Sequence, residues 1–137
     1  MSTVTPLPAR PDPVARAREL GPAIAAAADT IERTMEIPEP LITKLHEARL
    51  LRMLLPRSVG GDQLEPWVYL RAVQETARHD GSVGWNLFVA NSSALIAPFI
   101  ALEAARHIYS DPRALIAWGP PNHHRATAVP GGYRVSG

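Results

Sequence analysis

The residues best able to do chemistry sit inside one long uncharged stretch. Between Asp80 and Glu103 the chain reads GSVGWNLFVANSSALIAPFIAL, which carries Trp85, Asn86, Asn91, Ser92 and Ser93. An amide or hydroxyl in apolar surroundings needs a hydrogen-bond partner, supplied either by nearby backbone or by a bound molecule. A helix apolar on nearly every side, yet bearing an indole and several amides, is suited to line a ligand cavity whose few polar groups fix orientation. The structural alternative is that the polar groups satisfy neighbouring backbone and Trp85 fills core space. The other visible grouping is His123-His124. Adjacent residues on an extended chain point to opposite sides, so an exposed loop pair is expected there rather than a metal site. There is no P-loop, G-x-G-x-x-G, H-E-x-x-H or G-x-S-x-G, and no residue is assigned a catalytic role.

Composition limits what those residues can serve. A net charge of +1 with 20% charged residues gives no dominant attraction to nucleic acid or anionic membrane. The absence of cysteine excludes disulfides, thiolate metal ligands and cysteine nucleophiles. The stretch from Gly81 to Leu102 matches the roughly 20 residues that span a bilayer. Its internal amides and hydroxyls, Pro98, and the lack of a basic cluster at either end argue for a core helix instead. With no secretory signal at the N-terminus, a soluble cytoplasmic protein is expected.

Other elements must hold this stretch in place. Proline-rich Met1–Pro13 reads as a disordered tail. Leu20, Ile24, Ile31 and Met35 recur at helical spacing, which predicts one long amphipathic helix from Val14 to about Glu36. Pro38 and Pro40 open a second helix with Leu41, Ile42, Leu45 and Ala48 as its apolar stripe. The run Leu50–Leu55 is apolar without a clear period, and Gly60-Gly61 permits positive φ and close backbone approach. Pro66 starts a third helix, with Val68 or Tyr69, Leu70, Val73 and Ala77 expected inward and Arg71, Gln74, Glu75 and Arg78 expected in water. Ser82 is the expected N-cap of the central helix. Glu103 to Tyr109 reads as a brief helix, Ala114–Trp118 as a strand, Asn122–Pro130 as a loop, and Tyr133–Val135 as a second strand. The expected organisation is a tail over 1–13, an all-α helical domain over 14–111, and over 112–137 the first strands of an incomplete β-domain.

The order of these signals resembles the N-terminal region of the acyl-CoA dehydrogenase superfamily. The matching pieces are Pro38-x-x-Leu41, Leu45-x-Glu47-Ala48-x-Leu50, Pro56-x-x-x-Gly60-Gly61, Glu75-x-Ala77-x-x-Asp80-Gly81-Ser82 and the closing Gly131–Gly137. Asp80-Gly81-Ser82-x-Gly84-Trp85 is similar to the flavin-dependent monooxygenase branch. The resemblance implies an oxidoreductase using a flavin, FAD or FMN, on a small-molecule substrate. The substrate would be an acyl-CoA if the chemistry is dehydrogenation. It would be an aromatic or polycyclic compound if the chemistry is monooxygenation, with reduced flavin supplied by a separate flavin reductase. It also implies a homo-oligomer at full length, with Trp85, Asn86 and Asn91 on the substrate side and Trp118, Pro120 and Asn122 beside the flavin. Catalysis and flavin retention are then expected of a full-length homologue, not of this stretch alone. The alternative is a non-catalytic helical remnant, or one half of a split protein that associates with a partner chain. One departure from the family pattern is Arg49, which stands where glycine is usual. In a left-handed conformation arginine costs about 1 kcal/mol relative to glycine.

Overall fold

The computed structural model describes residues 12–119 and 123–137. The first helix, α1 (Pro13–Thr34), begins where Asp12 accepts a hydrogen bond from the Val14 N–H, and it ends at Met35 with φ 57°. Apart from Asp12 and Pro13, the expected tail lies outside the described residues. After α1 come α2 (Glu39–Glu47), a short 3-10 turn over Arg57–Val59, α3 (Pro66–Ala77) and α4 (Gly81–Ser93). A 3-10 segment over Ala94–Phe99, α5 (Leu102–Ile108) and an antiparallel hairpin complete the order, with strands β1 (Arg125–Val129) and β2 (Gly132–Ser136). This is the all-α arrangement with two following strands that the sequence pattern predicts.

The main core forms where α1 packs along α3 and α3 along α4. Val14, Ala17, Ile24 and Ile31 of α1 meet Leu41 and Leu45 of α2, Tyr69 and Ala72 of α3, and Val83, Leu87 and Ala90 of α4. Small residues set the spacing. A β-carbon on Gly84 would stand 2.6 Å from that of Ala77, and one on Gly21 would stand 2.4 Å from the His79 ring. A second cluster gathers Leu55, Val59, Ala94, Ala97, Ala105 and Tyr109. The run Leu50–Leu55 has no period because it threads between the helices with every residue buried. Its backbone is met from one side by Asp62, Gln63 and Leu64, whose N–H groups donate to the carbonyls of Arg52, Leu55 and Met53. Gly61 permits that approach, since a β-carbon there would overlap the Leu55 carbonyl.

Five expectations need correction. Leu70 and Ala77 are exposed and Glu75 buried, so the inward face of α3 is Tyr69, Ala72, Glu75 and Thr76. Close packing between two neighbouring helices selected small side chains there, and Arg18 and Arg78 lie 3.2 and 3.3 Å from the Glu75 carboxylate. The N-cap of α4 is Asp80, whose carboxylate accepts from the Val83 N–H at 2.8 Å, and Ser82 lies inside the helix. The α-helix ends at Ser93 rather than continuing to Leu102. Ser92 and Ser93 both return their hydroxyls to the Val89 carbonyl, and Pro98 has no N–H to donate. Ala114–Trp118 forms no strand: among the described residues it has no pairing partner, and Ile116 packs against the second cluster while Leu115 and Trp118 stay exposed. The ladder lies further on, within the expected loop, where Val129 pairs with Gly132 across Pro130-Gly131 and Gly131 supplies φ 85°.

Burial of Tyr69 gives a pH-dependent term. Its hydroxyl donates to the Phe88 carbonyl at 3.0 Å, and burial pushes its pKa up to about 12. The folded value lies above the unfolded one near 10, so this contribution is complete below pH 10 and is lost as pH rises through 12. Unfolding free energy is expected to fall by about 1–3 kcal/mol over that window. Tyr69→Phe should flatten this slope in a pH series of chemical denaturation curves.

Candidate functional site

Two concavities meet along α4. The larger is a groove of about 870 Å³ between the C-terminal end of α1, the start of α2 and the first turns of α4. Ile31, Met35, Ile37 and Ile42 give it apolar walls, and its charged lining residues are Glu32, Glu36 and Glu39. The smaller is a slot of about 160 Å³ whose lining holds no charged residue. Leu45, Val89 and Ala90 form one side of it, with Leu115, Ile116 and Ala117 among the facing residues. Ile37, Ile42 and Asn86 line both, so Asn86 stands where groove and slot join.

The helix start explains how Asn86 is presented. Asp80 caps α4, and the first turn, Gly81 and Ser82, borders the groove. Asn86 donates from Nδ2 to the Ser82 carbonyl at 2.9 Å, which fixes its side chain and leaves Oδ1 without a donor among the described residues. That oxygen can accept a hydrogen bond from a hydroxyl or amine entering the groove. Trp85 is 61% exposed, and its ring stacks on Phe88 with centroids 5.6 Å apart. Phe88 in turn lies 6.3 Å from the Tyr69 ring, so the indole rests on an aromatic base running back into the core. This gives a flat aromatic face and a fixed acceptor beside an apolar slot.

Asn91 is not part of this arrangement. It is fully buried. Its Oδ1 accepts from the N–H groups of Met53 (2.7 Å) and Leu54 (3.3 Å), and its Nδ2 donates to the carbonyls of Leu50 (2.8 Å) and Leu87 (2.9 Å). The expectation that it faces a cavity with Trp85 and Asn86 is therefore corrected: its amide joins α4 to the threaded run. The spacing already contained this, because at about 100° per residue Asn91 lies roughly 140° around the helix from Asn86. The same rule places Val89 and Ala90 on the face of Asn86, and the sequence reading passed over both. Leu115–Ala117 were recognised as apolar but read as a strand rather than a slot wall.

Of the residues expected beside a flavin, Trp118 is 56% exposed and directly follows the slot-wall residue Ala117. Pro120 and Asn122 lie outside the described residues. His123 and His124 are exposed ahead of β1. Both strands of the hairpin are exposed along their whole length. Among the described residues no helix is long and apolar enough to cross a membrane.

The family model described as "Acyl-CoA dehydrogenase, N-terminal domain" matches residues 16–105, which run from the first turn of α1 into α5. The chain belongs to the acyl-CoA dehydrogenase N-terminal domain family. One curated relative is the "Flavin-dependent monooxygenase, oxygenase subunit HsaA" of Rhodococcus jostii (strain RHA1), 26% identical over 119 residues, covering 85% of this chain and 31% of the relative. Among solved structures, the 3-HSA hydroxylase from Rhodococcus sp. RHA1 superposes with a TM-score of 0.85 at 25% identity over 92% of this chain and 34% of its own. XiaF from Streptomyces sp., solved in complex with FADH2 and glycerol, shares the fold with a TM-score of 0.84 at 24% identity, covering 91% of this chain and 32% of XiaF. The acyl-CoA dehydrogenase N-terminal fold thus recurs here in a chain that spans about a third of the length of these relatives.

Proposed function

We propose that this chain forms the substrate-side helical wall of a flavin-dependent monooxygenase and that the groove and slot meeting at Asn86 receive the substrate. The observation that carries this reading is the conjunction, at one point of α4, of a fixed amide acceptor, an exposed indole and an uncharged slot. The likeness to the oxygenase subunit HsaA supports monooxygenation over dehydrogenation. The lining supports the same choice, because the groove's charged residues are all glutamates and the slot has none. An uncharged ring system suits that lining better than a polyanionic coenzyme A thioester. In this reading Trp85 stacks on the ring, Asn86 accepts from its polar substituent, and Val89, Ala90 and Leu115–Ala117 exclude water. Asn91 is not included.

The residues present fit one side of a flavin. The exposed Trp118 continues the slot wall, and the hairpin beyond it is uncovered. Trp118 would bound the isoalloxazine next to the slot, with Pro120 and Asn122 following it in the chain. The flavin, when bound, supplies the redox chemistry. The chain's own contribution is to bind, orient and desolvate the substrate. A separate flavin reductase and a second copy of the full-length protein are the partners this reading calls for.

The test is a chimera in which this chain replaces the aligned N-terminal part of the Rhodococcus jostii oxygenase subunit, supplied with reduced flavin, oxygen and that enzyme's own substrate. Hydroxylated product is expected. Trp85→Ala and Asn86→Ala should each lower kcat/KM about tenfold, as loss of an oriented contact does. Leu70→Ser, on the exposed face of α3, should leave the rate unchanged. Parental kinetics in both pocket variants would refute the assignment.

A further inference from the structure

Arg52 is buried, yet none of the ion pairs among the described residues includes it. A cation out of water without a carboxylate is costly, so its surroundings must compensate. They do so with backbone dipoles. Nη2 faces the carbonyls of Tyr109 (3.4 Å), Asp111 and Ala114 (3.5 Å), and the guanidinium carbon lies 5.9 Å from the centre of the Tyr109 ring. Tyr109 caps the C-terminus of α5, where a helix presents its negative end. Burial lowers the Arg52 pKa from its ordinary value, Arg49 adds to that, and Asp111 and Tyr109 oppose it. The Arg52 carbonyl in turn accepts from the Asp62 N–H, so the backbone from which it reaches is itself held.

The three carbonyls belong to the turn that leads into Leu115–Ala117, the facing wall of the slot. That wall has no strand partner among the described residues. Resting on the proposed substrate role of the slot, we infer that Arg52 is a positioning residue: by holding the 109–114 turn it sets how far Leu115–Ala117 stand from Val89 and Ala90, and so the size of ring the slot admits. One nitrogen, Nη2, meets all three carbonyls, so a single charged end group on the threaded run ties the turn together.

The experiment measures phenol and 2-naphthol binding to the full chain by titration of the Val89 and Ala90 methyl resonances. The wild-type protein should bind both, with phenol favoured relative to its smaller apolar area. In Arg52→Met, which keeps the volume and loses the donors, the ratio of 2-naphthol to phenol affinity should rise by about five- to tenfold. Amide exchange at Ala114, whose N–H donates to the Asp111 carbonyl, should accelerate while exchange at Ala72 and Leu87 does not. Arg52→Gln is read in the same way should the methionine variant fail to fold, and Arg52→Lys should restore part of the wild-type ratio. An unchanged ratio in the variants, with wild-type binding intact, would overturn the positioning role alone. Absence of binding to the wild-type protein would overturn the slot reading and this inference with it.

Discussion

Asn91→Ala is expected to destabilise the fold by about 4 kcal/mol, because three buried backbone groups outside its own helix lose their partner together. The N–H groups of Met53 and Leu54 and the carbonyl of Leu50 all meet the Asn91 amide. These lie on the run Leu50–Leu55, which has neither helix nor strand to satisfy it and is buried throughout. Residues 62–64 meet the carbonyls of Arg52, Met53 and Leu55. The Asn91 side chain does for the Met53 and Leu54 N–H groups and the Leu50 carbonyl what a second neighbouring strand would do. Asn91→Asp keeps the acceptor but loses the donors and buries a charge, so it should be no better tolerated. Urea denaturation should show a lower midpoint with an unchanged slope. A ligand-binding asparagine would behave in the opposite way, keeping stability and losing affinity. The same measurement thus separates the two roles an amide in an apolar helix can have.

Asp62→Asn should cost about 3 kcal/mol, since it removes the countercharge from partly buried arginines while keeping the volume. Asp62 is itself buried. Arg49 reaches its Oδ1 from Nε at 2.9 Å and from Nη2 at 2.7 Å, and Nη2 also donates to the Gly60 carbonyl at 2.8 Å. Arg16 approaches the other oxygen at 3.9 Å. This cluster accounts for the departure from the family pattern at position 49. Arg49 does adopt the left-handed conformation, with φ 54°, where glycine would relieve about 1 kcal/mol of strain. Its charged hydrogen bonds outweigh that, so Arg49→Gly should still lower stability, by about 1–2 kcal/mol. The double variant should lose less than the sum of the two, which a double-mutant cycle would show. Burial shields the pair, so the loss should change little with added salt.

The parts of the fold that were legible are those where one periodicity dominates. The spacing of Leu20, Ile24 and Ile31 gave α1, Pro38 and Pro40 gave the start of α2, and Tyr133–Val135 gave β2. The inward face of α3 was legible only in part: Tyr69 and Val73 do pack into the core, but hydrophobicity favours Leu70 whereas packing between two helices favours Ala72 and Thr76. The end of α4 was hidden in an unbroken apolar run, where the hydroxyls of Ser92 and Ser93 and the missing N–H of Pro98 decide it. For the site, the polar residues of the central helix were the right place to look, but residue type alone could not sort them. Asn86 and Asn91 are the same residue in the same helix. One is exposed with an acceptor to spare and the other is saturated, because the run that needs Asn91 lies some forty residues earlier. Helical angle separates them, whereas a list of residue types does not.

The most direct test of the account is where an uncharged aromatic ligand sits on this chain. Intermolecular nuclear Overhauser effects between the ring protons of bound phenol and the protein can be measured without flavin or turnover. Contacts to the Val89 and Ala90 methyls and to Ile42, with the Trp85 indole shifted by the ring, are the predicted result. Contacts confined to the exposed apolar residues beyond α4, such as Phe99 at 85% exposure, would contradict it.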